Sequence, residues 1–462
     1  MAISTLWRAL LPLLAYGALK EFKPTEPFLY EFEHLTLNIS KEVLSSEVYP
    51  IWTYTYLVAL IPIFLLTDIL LYKPVIIFEL FCYIATWLLL DVGTSVLTQQ
   101  FVELAYGFAT ASGVAYFSYI YVTAPKDHFK SVTSYVRGAL LVGRFSSYAV
   151  SQAVILLEWG TYRTLNYIST ASLVLALPFA LLLPTVRWQD AHEKRFSKQV
   201  AKAADAENGG VDVAEAVTYG QFVKRMFATL WRDGRAVYSD AFTVKWSLWW
   251  ALNSCLMNQI LNYEQSLWGT VQTEHSGQYN GFTEALTPLV SLPVVLAMQR
   301  VELRWSRWGE LLLAVLSIGD AGLLFLQART SSVFVMYAGY IVYRTLFEAM
   351  ITIAQFNLAD RLRSDSFGLV FGLNTFVALA LQSLLTYIVA DKHGPLALKV
   401  TSQYLVYAGV HVCVSFIFAV AAIITLCRSA DDVTAAQPVV AEREKEEDDD
   451  DDDSSHPVNV QL

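Results

Sequence analysis

RWQDAHEKRFSKQVAKAADAENGG (Arg187–Gly210) and VDVAEAVTYGQFVKRMFATLWRDGR (Val211–Arg235) together make the least hydrophobic internal stretch of a 462-residue chain. It is too polar to enter a bilayer and too poor in core residues to form a domain of its own. The blocks on either side are long and apolar, so the fold turns on what this connector separates.

Composition assigns those blocks to a membrane. Hydrophobic residues make up 55% of the chain and charged residues only 16%, against about 25% charged in an average soluble chain. The formal net charge of −10 comes mainly from the run EREKEEDDDDDD near the C-terminus, read as a solvated, disordered acidic tail. Cys82, Cys255, Cys413 and Cys427 fall within or at the ends of apolar spans, which argues against a disulfide framework. The first apolar segment, Leu6 to Leu19, runs on into KEFKPTEPFLY without a small-residue cleavage site, so it is expected to remain as the first span.

A helix needs about 20 apolar residues to cross roughly 30 Å of hydrocarbon. That rule places six spans before the connector, at 5–30, 48–70, 73–92, 96–123, 130–158 and 164–185. Six more follow, at 243–268, 279–299, 307–327, 332–357, 366–390 and 400–427. The predicted fold is an all-α polytopic membrane protein. Its units are an N-terminal six-helix bundle (1–185), a connector (186–241), a C-terminal six-helix bundle (242–427) and the acidic tail (428–462).

Positive charge collects after even-numbered spans, at Lys126 and Lys130, Arg187 to Lys202, Arg300, Arg304 and Arg307, and Arg428. The positive-inside rule then puts both termini and the connector in the cytoplasm. Asn38-Ile39-Ser40, an N-glycosylation sequon, falls on the extracellular side of that topology. Two sets of six helices around a long connector match the architecture of the major facilitator superfamily, whose halves rock about a midplane site.

Ionisable groups inside spans cost free energy in hydrocarbon and tend to face a cavity or a partner. They are Asp68, Glu79, Glu103, Arg137, Arg144, Glu284, Asp320, Arg344 and Glu348. Arg344 and Glu348 lie four apart, so a helix places them on one face, as a self-contained ion pair or as a charge for which a substrate competes. Asp68, near the cytoplasmic end of span 2, reads as a gate or structural charge. The cluster Tyr49, Trp52, Tyr54 and Tyr56 reads either as an interfacial aromatic belt or as a stacking wall for a flat heteroaromatic ligand. No phosphate-binding loop, HExxH, CxxC or nucleophile elbow occurs, and His34, His128 and His411 lack metal-ligand spacing. Neither catalysis, a cofactor, a metal nor nucleic-acid binding is called for.

Five strings carry a closer likeness: SSEVYPIWTYTYLVALIPIFLLTDILLYKPVII, FVELAYGFATASGVAYFSYIYV, VKWSLWWALNSCLMNQILNYEQSLW, YNGFTEAL and LVFGLNTFVALALQSLLTYIVAD. They resemble the reduced folate carrier family, the folate and thiamine transporters of animals, from about Lys23 to Cys427. The resemblance implies a twelve-helix secondary transporter of the plasma membrane. It would import a water-soluble vitamin against a coupling proton or an exchanged organic anion.

The thiamine carriers of that family line their site with residues that match Trp52, Thr86, Glu103, Tyr106, Asn258 and Glu284 here. Its folate carriers hold an anionic tail with cations, which match at Arg137 and Arg344. Gly113 and Gln382 stand where those carriers place an arginine and a lysine. Arg144 takes a position that is tyrosine in the thiamine carriers, and Glu47 looks like a shared pocket residue. The expectation is a ring on Trp52 and Tyr106, with Glu103 and Glu47 at its amino groups and Arg344 and Arg144 on the carboxylates of folate. The alternatives are thiamine, or a receptor or scaffold that keeps the fold without transport.

Overall fold

The computed structural model describes residues 2–123, 129–185, 238–272, 279–298, 305–361 and 367–452. The connector from 186 to 237 and the cations at 126, 300 and 304 lie outside the described residues, as does the side chain of Asp68.

Among the described residues, twelve long helices follow one another. In the first half they are α1 (Ala2–Glu21), α2 (Tyr49–Ile69), α3 (Lys73–Val92), α4 (Val96–Thr123), α5 (Phe129–Leu156) and α6 (Tyr162–Leu182). In the second half they are α7 (Ala241–Trp268), α8 (Asn280–Met298), α9 (Trp305–Arg329), α10 (Val333–Arg361), α11 (Phe367–Val389) and α12 (Val400–Asp452). Local chemistry marks several of their starts. Asp240 caps α7 by accepting from the Thr243 amide at 3.1 Å, and a capping box of Thr161 and Thr164 opens α6.

Two boundaries differ from expectation. The first span ends at Glu21 rather than near residue 30, because Pro24 and Pro27 interrupt the pattern. The chain from 22 to 48 then folds as short helical turns packed between the bundles. At the other end α12 continues to Asp452, past the boundary expected at 427, through a run rich in the helix formers Ala and Glu.

Among the described residues, six helices carry an 18-residue window apolar enough to cross a membrane by length and composition: α3, α5, α6, α9, α11 and α12. The four highest mean hydropathies belong to α12 (2.5), α3 (2.1), α9 (1.9) and α6 (1.7). These four make no extensive contact with the opposite half; the halves meet along α2 against α11 and α5 against α8. A helix surrounded mostly by lipid must be apolar all round, whereas one facing a partner bundle can carry polar groups. The large apolar side chains left exposed, among them Val92 and Phe416, fit a lipid-facing surface.

Inside the first bundle α1 lies backbone to backbone on α5. A Cβ on Gly143 would sit 2.2 Å from the Ala18 carbonyl oxygen and 2.9 Å from its Cα, so the close approach requires glycine. Gly138, a turn and a half earlier on α5, has nothing within 4 Å of that position. Gly143→Val is therefore expected to lower the thermal stability of the purified protein by about 1–3 kcal/mol or more through overpacking. Gly138→Ala should melt at or slightly above the parent temperature.

Candidate functional site

One end of the molecule is sealed by bonds that run from half to half. Tyr54 OH donates to Asp391 at 2.7 Å, Lys392 Nζ lies 2.5 Å from Glu47, and Gln382 Nε2 reaches Thr53 Oγ1 at 3.4 Å. Asn262 donates to the Tyr49 carbonyl, Gln265 to the Glu26 carbonyl at 2.8 Å, and Lys41 to the Gly269 carbonyl. Asn280 Nδ2 donates to Glu31 at 2.6 Å, and Gln152 accepts from the Phe282 amide at 2.8 Å.

Beneath the seal, the first half presents an aromatic wall. Tyr106 on α4 lies 6.5 Å from Trp52, 5.8 Å from Tyr83 and 6.0 Å from Trp87. Trp52 and Tyr106 are tilted by 47°, and the Trp52 indole donates to Thr110 at 3.3 Å. The Lys23 ammonium sits against this group, 4.5 Å from the Tyr83 ring centre and 5.5 Å from those of Trp87 and Tyr106. Glu26 holds it at 2.6 Å and also accepts from Tyr106 OH at 2.9 Å. Arg144 forks onto Glu21 at 2.8 and 3.2 Å. Lys20 pairs with the fully buried Glu79 at 2.7 Å, and Tyr16 donates to the other oxygen of that carboxylate at 2.8 Å.

The second half answers with Glu284 on α8 and Arg344 on α10. Tyr340 links them, donating to Glu284 at 2.7 Å and accepting from Arg344 at 2.8 Å, and the two charges are 4.0 Å apart. Glu284 is within electrostatic range of Arg144 and Glu26 across the gap, and of Glu264 on α7 in its own half. The Nε of Arg344 is buried without a partner.

The structure thus brings together Trp52, Tyr106, Arg144, Glu284 and Arg344. Glu103 lies one turn from Tyr106 on the same face of α4, buried and within range of Glu33 and Tyr49. Asn258 is half-buried on α7, one turn from the Asn262 that bonds to Tyr49. Arg137 is exposed, and among the described residues it forms no ion pair. Thr86 turns its hydroxyl onto the Cys82 carbonyl of its own helix, and Glu47 belongs to the seal.

Arg344 does not form the expected pair with Glu348; the carboxylate in ion-pair range is Glu284. Side chains on a helix lean toward its N-terminus, which carries the guanidinium back to Tyr340 rather than forward to residue 348. Gln382, at the position of a lysine in the folate carriers, is spent on the α2–α11 contact. Gly113 faces Glu79 Oε1, whose charge Lys20 already neutralises. Lys20, Glu21, Lys23 and Glu26 were missed in the sequence because they flank a span end, where charges are ordinary; their density in KEFKPTE was the available signal.

Two six-helix halves, closed at one end over a polar site, define a transporter of the major facilitator type. The fold matches the crystal structure of the nucleoside transporter NupG, with a TM-score of 0.59 over 89% of this chain and 98% of that one, at 16% identity. The chain belongs to the reduced folate carrier family, whose family model matches residues 5–406. It is 46% identical to Folate-like transporter 2 of Caenorhabditis elegans, covering 90% of this chain and 96% of the relative. It is 35% identical to Thiamine transporter 1 of Mus musculus, covering 91% of each.

The burial of the two kinds of ion pair separates their energetic roles. Glu26→Gln strands the buried Lys23 ammonium and is expected to cost about 3–5 kcal/mol of stability. Glu47→Gln releases a Lys392 that is 42% exposed and should cost no more than about 1 kcal/mol. Thermal melts of the two purified variants beside the parent check the contrast.

Proposed function

We propose that this chain is a secondary active carrier that imports an anionic folate across the plasma membrane by alternating access, moving it chemically unchanged. A proton or an exchanged organic anion drives the cycle. The sealed end faces outward and both termini face the cytoplasm, in keeping with the distribution of Lys and Arg. The observation that carries the reading is the half-buried Arg344, whose buried Nε has no partner while its Nη1 is held by Tyr340. A guanidinium fixed with an open donor suits a substrate carboxylate.

Arg137, exposed on α5, adds a second cation. The pterin-like ring lies against Trp52 and Tyr106, with Glu103 at its amino groups, and Asn258 and Glu284 line the facing wall. Glu47, held by Lys392, acts in gating rather than in contact. Glu348 and Asp68 serve as structural charges.

Thiamine is the second reading. Glu21 neutralises Arg144, and the aromatic wall stands opposite Glu284, a setting that suits a flat cation.

Uptake of labelled folate and labelled thiamine, side by side in cells lacking their own carriers, tests the choice. Folate should accumulate, and Arg344→Ala should reduce that uptake at least about tenfold at equal surface level, the loss of roughly 1.4 kcal/mol or more of binding. Thiamine accumulation alone would replace the folate reading by its alternative. The sequon at Asn38 lies on an exposed turn of the outward end. The surface protein should therefore shift in mobility on glycosidase treatment, and Asn38→Gln should remove the shift.

A further inference from the structure

Two carboxyl groups are buried inside the seal, on the segment between α1 and α2 that wedges between the halves. Glu31 is 4% exposed and Glu33 is fully buried. Glu31 Oε1 accepts from Asn280 of the opposite half, and that amide is itself fixed by Tyr337 OH at 2.5 Å and Gln272 at 2.8 Å. Glu33 Oε2 accepts from Tyr49 OH at 2.7 Å. The second oxygen of each carboxyl, Glu31 Oε2 and Glu33 Oε1, is buried with no hydrogen-bond partner. A carboxylate left so would be an uncompensated buried charge, whereas a neutral acid meets a far smaller desolvation cost.

The surroundings supply little counter-charge. The segment itself offers Tyr30, His34, Lys41 and Glu42; α2 offers Tyr49, α4 Glu103, α6 Tyr162 and α10 Tyr337. Lys41 is the cation among them, and its ammonium is engaged by the Gly269 carbonyl. Glu103, within range of Glu33, brings a second carboxyl and no counter-charge.

We propose that the seal is a proton-binding lock. Glu31 and Glu33 enter it as neutral acids, taking protons from the extracellular water as the halves close there and returning them when the seal opens. The extracellular direction rests on the topology under Proposed function. Burial pushes both carboxyls up to about 8 in the sealed state, whereas hydrated in an open gate they regain an ordinary value near 4.3. The closed seal therefore binds more protons than the open one. Its advantage is full at low pH, declines as pH rises from the open-state value, and is lost by about 8.

The test places a thiol in the seal by Thr53→Cys, at the buried contact with Gln382. Intact cells are treated from outside with a membrane-impermeant methanethiosulfonate. The same variant carrying Glu31→Gln and Glu33→Gln serves as reference, since an amide mimics the neutral acid and both proteins share one thiol chemistry. Relative to the reference, labelling of the Thr53→Cys protein should rise at least about tenfold between pH 6.5 and 8.5. Parallel pH profiles in the two backgrounds would overturn the lock, as would protection of the thiol from pH 6.5 to 9.

The amide pair should also reach the surface at parental level and, purified, melt with less dependence on pH than the parent. Loss of folding in the amide variant would count against the lock, because a site built for a neutral acid accepts an amide. Labelling requires no substrate. A protein that moves neither vitamin but labels as expected would sink the transport reading alone.

Discussion

Hydrocarbon does not solvate charge, and the polar architecture of this carrier follows from that constraint. Lys20 with Glu79, Lys23 with Glu26, Arg144 with Glu21 and Arg344 near Glu284 bring each cation against a carboxylate. Such pairs gain little net stability over apolar packing, yet breaking one strands a charge at high cost. They therefore act as fixed rivets within each half. Three of the four lie in the N-terminal half: Lys20 with Glu79 and Arg144 with Glu21 tie α1 to α3 and α5, while Lys23 with Glu26 lies within the turn after α1, which Tyr106 joins to α4 through Glu26. An anion that enters between the halves meets an arginine that already has a carboxylate nearby, so recognition is a competition rather than the filling of a vacant charge.

Movement is confined to where the rivets are absent. No described ion pair except Lys392 with Glu47 joins one half to the other at a distance of 3.5 Å or less. The halves otherwise touch through α2 on α11 and α5 on α8, and through hydrogen bonds at the sealed end. Because Gly143 lets α1 rest directly on α5, the segment that follows α1 is carried by the same body as the α5–α8 contact. Tilting one half against the other would open or close the seal and rearrange that contact together, the coupling that alternating access requires.

Much of the fold was legible because membrane helices announce themselves by length and composition, and a polar connector of some fifty residues divides them. The site was legible only in part. Trp52, Arg144, Glu284 and Arg344 stand out by residue type and Tyr106 only through the family resemblance, but sequence spacing gives neighbours along one helix and not across two. Arg344 illustrates the gap: Glu348 is four residues away in the chain, yet the closer charge is Glu284, sixty residues earlier. The segment from 22 to 48 was harder still. Up to residue 30 it read as the end of the first span and beyond that as an ordinary loop, and nothing in its period shows that it is packed between bundles with Glu31 and Glu33 out of water.

Much of the seal uses main-chain atoms on one side. Lys41 meets the Gly269 carbonyl, Gln265 the Glu26 carbonyl, Asn262 the Tyr49 carbonyl, and the Lys392 and Phe282 amides close two further contacts. A carbonyl or an amide survives nearly any change of the side chain beside it. Mutational drift on that side is thus invisible to the gate, and related carriers can diverge there in surface chemistry, antigenicity or glycan placement while keeping one closing geometry. At those contacts selection acts on one partner only, whereas Tyr54 with Asp391, Lys392 with Glu47, Gln382 with Thr53 and Asn280 with Glu31 constrain both sides.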